Sequence, residues 1–171
     1  IRREGLAAED IAEVVAGVHQ AAIDVLGPVV DPKTVHQAKF SMGSVLGLIA
    51  VCGAADLDSF ERRALSDEGV LKFGSKVRME LDEEVNALYP RRWIGKVRVT
   101  TTDGRSLTSR IDEPKGDPGN TLTREELEAK AIRLAGFRNG ATAVEMKALI
   151  ERIWRMDTAP GAAAILPPCV G

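Results

Sequence analysis

Residues 36–53, HQAKFSMGSVLGLIAVCG, constrain this chain more than any other stretch. Ala38, Lys39, Met42 and Leu46 favour a helix, and composition predicts one helix across the whole stretch, interrupted by Gly43, Ser44 and Gly47. A glycine inside a helix costs roughly 1 kcal/mol against alanine. Gly43 and Gly47 are a helical turn apart, so they share one face. A face kept bare at that cost needs another backbone, or a ligand, to come close. The plainer reading is a buried packing helix whose small residues serve fit. The polar residues His36, Gln37, Lys39 and Ser41 stand at the N-terminal end of this apolar rod. Unpaired amides and a partial positive charge make such an end suitable for anions.

A length of 171 residues suits one domain, or one and a fragment. Apolar residues make up 44% and charged residues 28%, the balance of a globular chain. The formal net charge is −2. No overall positive field exists to recruit nucleic acid or an anionic membrane surface. No apolar run reaches the roughly 18 residues of a membrane span. The charged opening IRREGLAAED does not read as a signal peptide, so a cytoplasmic location is expected. The chain opens on Ile1 rather than Met, which reads as a piece of a longer protein. Cys52 and Cys169 are its two cysteines; their pairing stays open, but the count does not describe a disulfide-stapled module. Without CxxC or a Cys/His cluster, no metal site is expected.

Residues 8–26 are ambiguous: Ala and Glu favour helix, whereas Val14, Val15 and Val18 favour strand, and composition leans slightly to helix. Asp58 with Glu61 can open a short helix, and Ser66 can cap another over 67–73. Residues 76–81 alternate as a half-buried strand, and 82–88 form a helical turn or loop ended by Pro90. The strongest local signal is the hairpin 96–111, turning at Asp103-Gly104. A three-residue loop, Thr102 to Gly104, sets Val99 opposite Leu107 and puts Val97, Val99, Leu107 and Ile111 on the core face. Lys96, Arg98 and Arg110 then point the other way. Thr123 with Glu126, and Thr142 with Glu145, form capping boxes for helices over 124–134 and 143–156. The Ala/Pro/Gly-rich tail from Thr158 reads as loose. The class is α+β: a small, mostly antiparallel sheet of three or four strands, helices packed on one face, and C-terminal helices after it. The expected domain limits are 1–122, 123–157 and a tail 158–171.

No GxSxG, HExxH, Walker or GxGxxG pattern occurs, and His19 and His36 are the two histidines. On one continuous helix His36 would share a face with Lys39, Gln37 with Ser41, and Lys39 with Gly43. Lys39 can bind a carboxylate and Ser41 can donate to one; a solvated lysine and a serine bonded to its own backbone are the plain alternatives. Lys115-Gly116-Asp117-Pro118-Gly119-Asn120 forms a turn cluster that could serve as an anion nest beside Lys115. Most such clusters are only turns. Arg91-Arg92-Trp93 is too small a patch to argue for RNA.

The succession AKFSMGSVLGLIAVCG, KVRMELDEE, RVTTTDGRSL and EPKGDPGNTLTREELEAKAIRLAGF resembles the MmgE/PrpD family, across roughly residues 5–137. That family includes 2-methylcitrate dehydratase, cis-aconitate decarboxylase and iminodisuccinate epimerase. The resemblance implies a smaller α+β lid domain that follows an all-helical domain, absent from this chain, and closes over its site. It tips 11–19 towards a strand and implies no cofactor. Lys39, Phe40 and Ser41 match the motif that opens the lid helix, and Lys115, Gly116, Asp117 and Pro118 match a second motif. The implied substrate-binding residues are Lys39, Ser41, His36 and Lys115, with Lys39 or Ser41 on a carboxylate; the catalytic base is not assigned. Met42-Gly43-Ser44 stands where members often place a Pro and an aromatic residue, and Lys130-Ala131 where they have Lys-Phe. The resemblance therefore implies a small di- or tricarboxylate as substrate, but does not choose among elimination, decarboxylation and epimerisation. Two readings follow: the lid of a lyase or isomerase, inactive alone and working in a homodimer, or a non-catalytic dimerisation or interdomain module.

Overall fold

The ambiguous run 8–26 divides at His19. In the computed structural model, which describes residues 4–158 and 161, Ile11–Val18 forms strand β1 and Gln20–Leu26 forms helix α1. The compositional lean to helix is overturned for the Val-rich half. Ile11, Val14, Val15 and Ala16 are all buried, and β-branched side chains pack well on a pleated surface.

The single helix expected over 36–53 is two: α2 (Val35–Lys39) and α3 (Met42–Cys52). Ser41 adopts extended backbone, φ −108° and ψ 116°, and its Oγ accepts the Ser44 N–H at 3.4 Å. A serine within a helical run offers the backbone a competing partner, and here the cap displaces the continuous helix. Helices α4 (Leu57–Arg62) and α5 (Glu68–Gly74) follow. Their caps are Asp56 and Asp67 rather than Asp58 and Ser66, each carboxylate accepting an amide three residues on.

Strand β2 (Val77–Leu81), helix α6 (Glu83–Leu88) and strands β3 (Gly95–Thr101) and β4 (Ser106–Ile111) complete the sheet. Its order is β2-β1-β3-β4. The α+β class holds, with one correction: β1 and β2 are parallel, so the sheet is mixed rather than antiparallel. Helices α1 to α5 lie between these two strands. Such a crossover returns the chain to the side where β1 began, whereas a hairpin would reverse it.

Helices α3 and α5 cover one face of the sheet, where Ile11, Val14 and Val99 meet Phe73, Leu46 and Ala50. A second cluster beneath α2 and α4 joins Ala38, Leu48, Phe60, Ala64 and Val70. The bare face of α3 meets backbone. A Cβ on Gly43 would stand 2.8 Å from the Gly74 carbonyl oxygen, and one on Gly47 2.7 Å from that of Val70. The hairpin register is the expected one, with Val99 opposite Leu107 and Gly104 at φ +87°. Ile111 departs from its expected core position and is 55% exposed. The helical cluster reaches β2, β1 and β3 but draws nothing from the edge strand β4.

The opposite face of the sheet is a grid of ion pairs. Arg78 joins Glu13 and Glu80, Arg98 approaches Glu80, and Lys96 joins Asp82 and Glu84. Arg110 grips Glu84 through two nitrogens, each at 2.8 Å. Val15, paired with Arg78 and Arg98, is only 3% exposed on this face, because guanidinium stems lie over it. Hydrogen bonds from Arg110 and Lys96 hold the Glu84 carboxyl down at about 2. A carboxyl depressed in the fold stabilises it above the unfolded value and loses that contribution as pH falls towards the folded one. Acid unfolding of the wild type is therefore expected to steepen between the ordinary glutamate range and about pH 2, and Glu84→Gln to flatten that segment in urea titrations at stepped pH. The groups are exposed, so salt should weaken the effect.

The described residues divide into two compact units between Asn120 and Thr121. The second unit is a helical hairpin, α7 (Arg124–Gly136) and α8 (Ala143–Trp154), and both expected capping boxes are present. Trp154 Nε1 donates to Glu128 at 2.8 Å, and the Arg124 guanidinium lies 4.5 Å from the Trp154 ring centre. Most of the tail expected to be loose, with Cys169 and hence its pairing to Cys52, lies outside the described residues. No helix among the described residues is long and apolar enough to cross a membrane.

Candidate functional site

The break between α2 and α3 makes a corner, and three of the four expected site residues stand on it. His36 and Lys39 are exposed on α2; Ser41, 2% exposed, caps α3. The shared helical faces expected for Gln37 with Ser41 and for Lys39 with Gly43 do not exist, because the helix ends between them. Phe40, 42% exposed, lies with its ring 5.1 Å from that of His36. Among the described residues the exposed Lys39 ammonium has no hydrogen-bond or ion-pair partner.

Below the corner, α3 presents its N-terminal end. The amides of Met42 and Gly43 are those that intrahelical bonding leaves over in the first turn. They border a groove of about 220 Å³ whose walls include Leu26, Val30 and Met79. Arg78 reaches its rim, but its guanidinium is held by Glu13 and Glu80. The groove is therefore mostly apolar, with the N-terminal end of α3 on one side, and Lys39 is not among its lining residues. None of the described residues that line it is a carboxylate or a histidine.

Lys115 belongs elsewhere. It is exposed in the loop after β4, the sheet edge opposite β2, while α3 lies against β2. Three amides on which an anion nest there would draw are spent within the loop. Gly116 N–H donates to Asn120 O at 2.8 Å, Asp117 N–H to Pro114 O at 3.1 Å, and Asn120 N–H to Asp117 O at 2.9 Å. These amides turn inward and close the loop on itself, and Asn120 Nδ2 ties it to Glu113 O at 2.9 Å. The Glu113 carboxylate folds over Gly119, where a Cβ would meet Oε2 at 1.6 Å.

Sequence reasoning did not find the groove walls, which come from α1, residues 27–30 and β2. No local pattern marks them. It also gave His19 no structural role. His19 caps α1, its Nδ1 accepting the Ala22 N–H at 3.0 Å. An acceptor side chain just before the Ala-rich run was the available signal.

The family model described as the MmgE/PrpD C-terminal domain matches residues 1–156. Comparison with individual curated proteins gives no significant match. With the family model covering nearly all of the chain, the chain belongs to the MmgE/PrpD family.

Proposed function

We propose that this domain is the substrate-clamping lid of an MmgE/PrpD lyase or isomerase acting on a small di- or tricarboxylate, in company with a helical domain that supplies the base. The observation that supports it is the exposed Lys39, two residues before the Ser41 cap that opens α3. Proton removal next to a carboxylate builds negative charge on that carboxylate. A lysine and oriented amides stabilise such charge, most effectively once closure excludes water. Lys39→Ala in the whole enzyme is expected to lower kcat/KM about tenfold to hundredfold, the weight of a charged hydrogen bond. Oligomer mass should stay unchanged. Unchanged turnover would remove Lys39 from the clamp.

A second reading, a dimerisation or interdomain module, is favoured by α8, where Val144 is 78% exposed and Ile153 43%. Replacing both with Ser separates the two readings. Altered mass with normal turnover supports the module alone.

A further inference from the structure

We propose that His19 is a proton-operated clasp on α1. Its Nδ1 accepts the Ala22 N–H at 3.0 Å. Only a ring nitrogen without hydrogen can accept, so the clasped imidazole is neutral and carries its proton on Nε2. The ring cannot readily swing away. It stacks on Tyr89 with centroids 3.7 Å apart and planes at 17°, and Trp93 meets it edge-on at 5.8 Å.

Protonation sets N–H against N–H and places a cation at the positive end of α1. Stacking on Tyr89 favours an imidazolium, so the ring stays and the helix turn yields. Ala22 N–H keeps only the His19 carbonyl, also at 3.0 Å. Gln20 N–H remains tied to Asn86 at 2.9 Å, which confines the opening to the part of the turn beyond it. The charged and titratable groups on the surrounding elements are otherwise engaged or unbonded to the ring. Asp24 on α1 holds Gln20. Asp82, whose amide donates to Val18 O, is bound by Lys96, and Glu84 on α6 is bound by Lys96 and Arg110. Glu83 on α6, the Tyr89 phenol, and Arg91 and Arg92 between the two aromatic residues make no hydrogen bond to the imidazole. Helix α1 runs into residues 27–30, and Val29 and Val30 wall the groove beside Ser41. Opening the clasp loosens that wall. This last consequence rests on the functional reading above; the clasp does not.

The test is an NMR titration of the full 171-residue chain, from about pH 8 to about pH 5, the span in which histidines titrate. Ring nitrogens and backbone amides are followed together, with His36 as internal control. At the upper end the His19 ring should show a bare Nδ1 and a protonated Nε2. As it takes up a proton, Ala22 exchange, corrected for its intrinsic pH dependence, should accelerate roughly fivefold with the same midpoint, the weight of an ordinary cap. His19→Asn supplies a cap that does not titrate and should hold protection constant. The proposal is overturned by the opposite tautomer, by a ring that stays neutral throughout, by a protonating ring that leaves Ala22 unmoved, or by the same pH response in His19→Asn. If the clasp opens but turnover of the whole enzyme shows no matching midpoint, the groove reading fails and the clasp stands.

Discussion

A chain carrying both Gly43→Ala and Gly47→Ala is expected to lose about 2–6 kcal/mol of stability, the sum of two overpacking penalties of about 1–3 kcal/mol each. Helix propensity alone argues the opposite sign, since each alanine should gain roughly 1 kcal/mol. The obstruction decides. The atoms facing the new methyls are the carbonyl oxygens of Gly74 and Val70, and backbone cannot turn aside as a side-chain tip can. Helix α5 would have to retreat from α3, and Phe73, which it presents to the sheet, would retreat with it. A loss of this size is a large part of the 5–15 kcal/mol typical of a domain. Urea unfolding monitored by circular dichroism checks it; an unchanged or raised midpoint would show that α5 does not hold this contact. Gly119→Ala is the informative contrast, because the obstructing atom there is a carboxylate at the end of a flexible side chain.

Leu48→Ala is expected to cost about 3 kcal/mol, within the range for emptying a fully buried leucine site. Leu48 is 0% exposed and belongs to the cluster with Ala38, Phe60, Ala64 and Val70. Two of those neighbours are alanines, short side chains that cannot lean in to fill the space. Leu48→Met, which nearly conserves volume, should cost under about 1.5 kcal/mol. Equal losses for the two variants in urea titrations would contradict the packing described.

What could be read from the residues followed the range of the forces involved. The hairpin was legible to its register because Asp103, Gly104 and the alternating valines act within a few residues of one another. The two capping boxes were legible for the same reason. The parallel pairing of β1 with β2 was not, since the 58 residues between Val18 and Val77 carry no local sign of which way the chain returns. Ser41 misled in a different way, since one continuous helix was expected through it. A serine beside Phe40 can continue a helix or cap a new one, and the extended backbone of Ser41 with its bond from the Ser44 N–H shows the second. The residues Lys39, Phe40 and Ser41 were singled out by their motif, but the corner they form between α2 and α3 was not. Nor was its groove, because α1 and β2 reach it only through tertiary packing. The Lys115 loop points in the reverse direction: its glycines, Gly116 and Gly119, suggested open amides, and the fold spends the Gly116 amide on the Asn120 carbonyl.

The placement of β1 bears on how the chain assembles. Strand β1, which precedes the other three in the chain, lies inside the sheet, with β2 on one side and β3 on the other. During synthesis it has no lateral neighbour until Val77 has emerged, and its second flank stays open until Thr101 follows. An apolar ribbon waiting with both edges bare is a template for wrong pairing. Helices α3 and α5 emerge before either neighbour and carry the residues that cover Ile11 and Val14. They can shelter the ribbon on one side during that interval, a chaperone written into the intervening sequence.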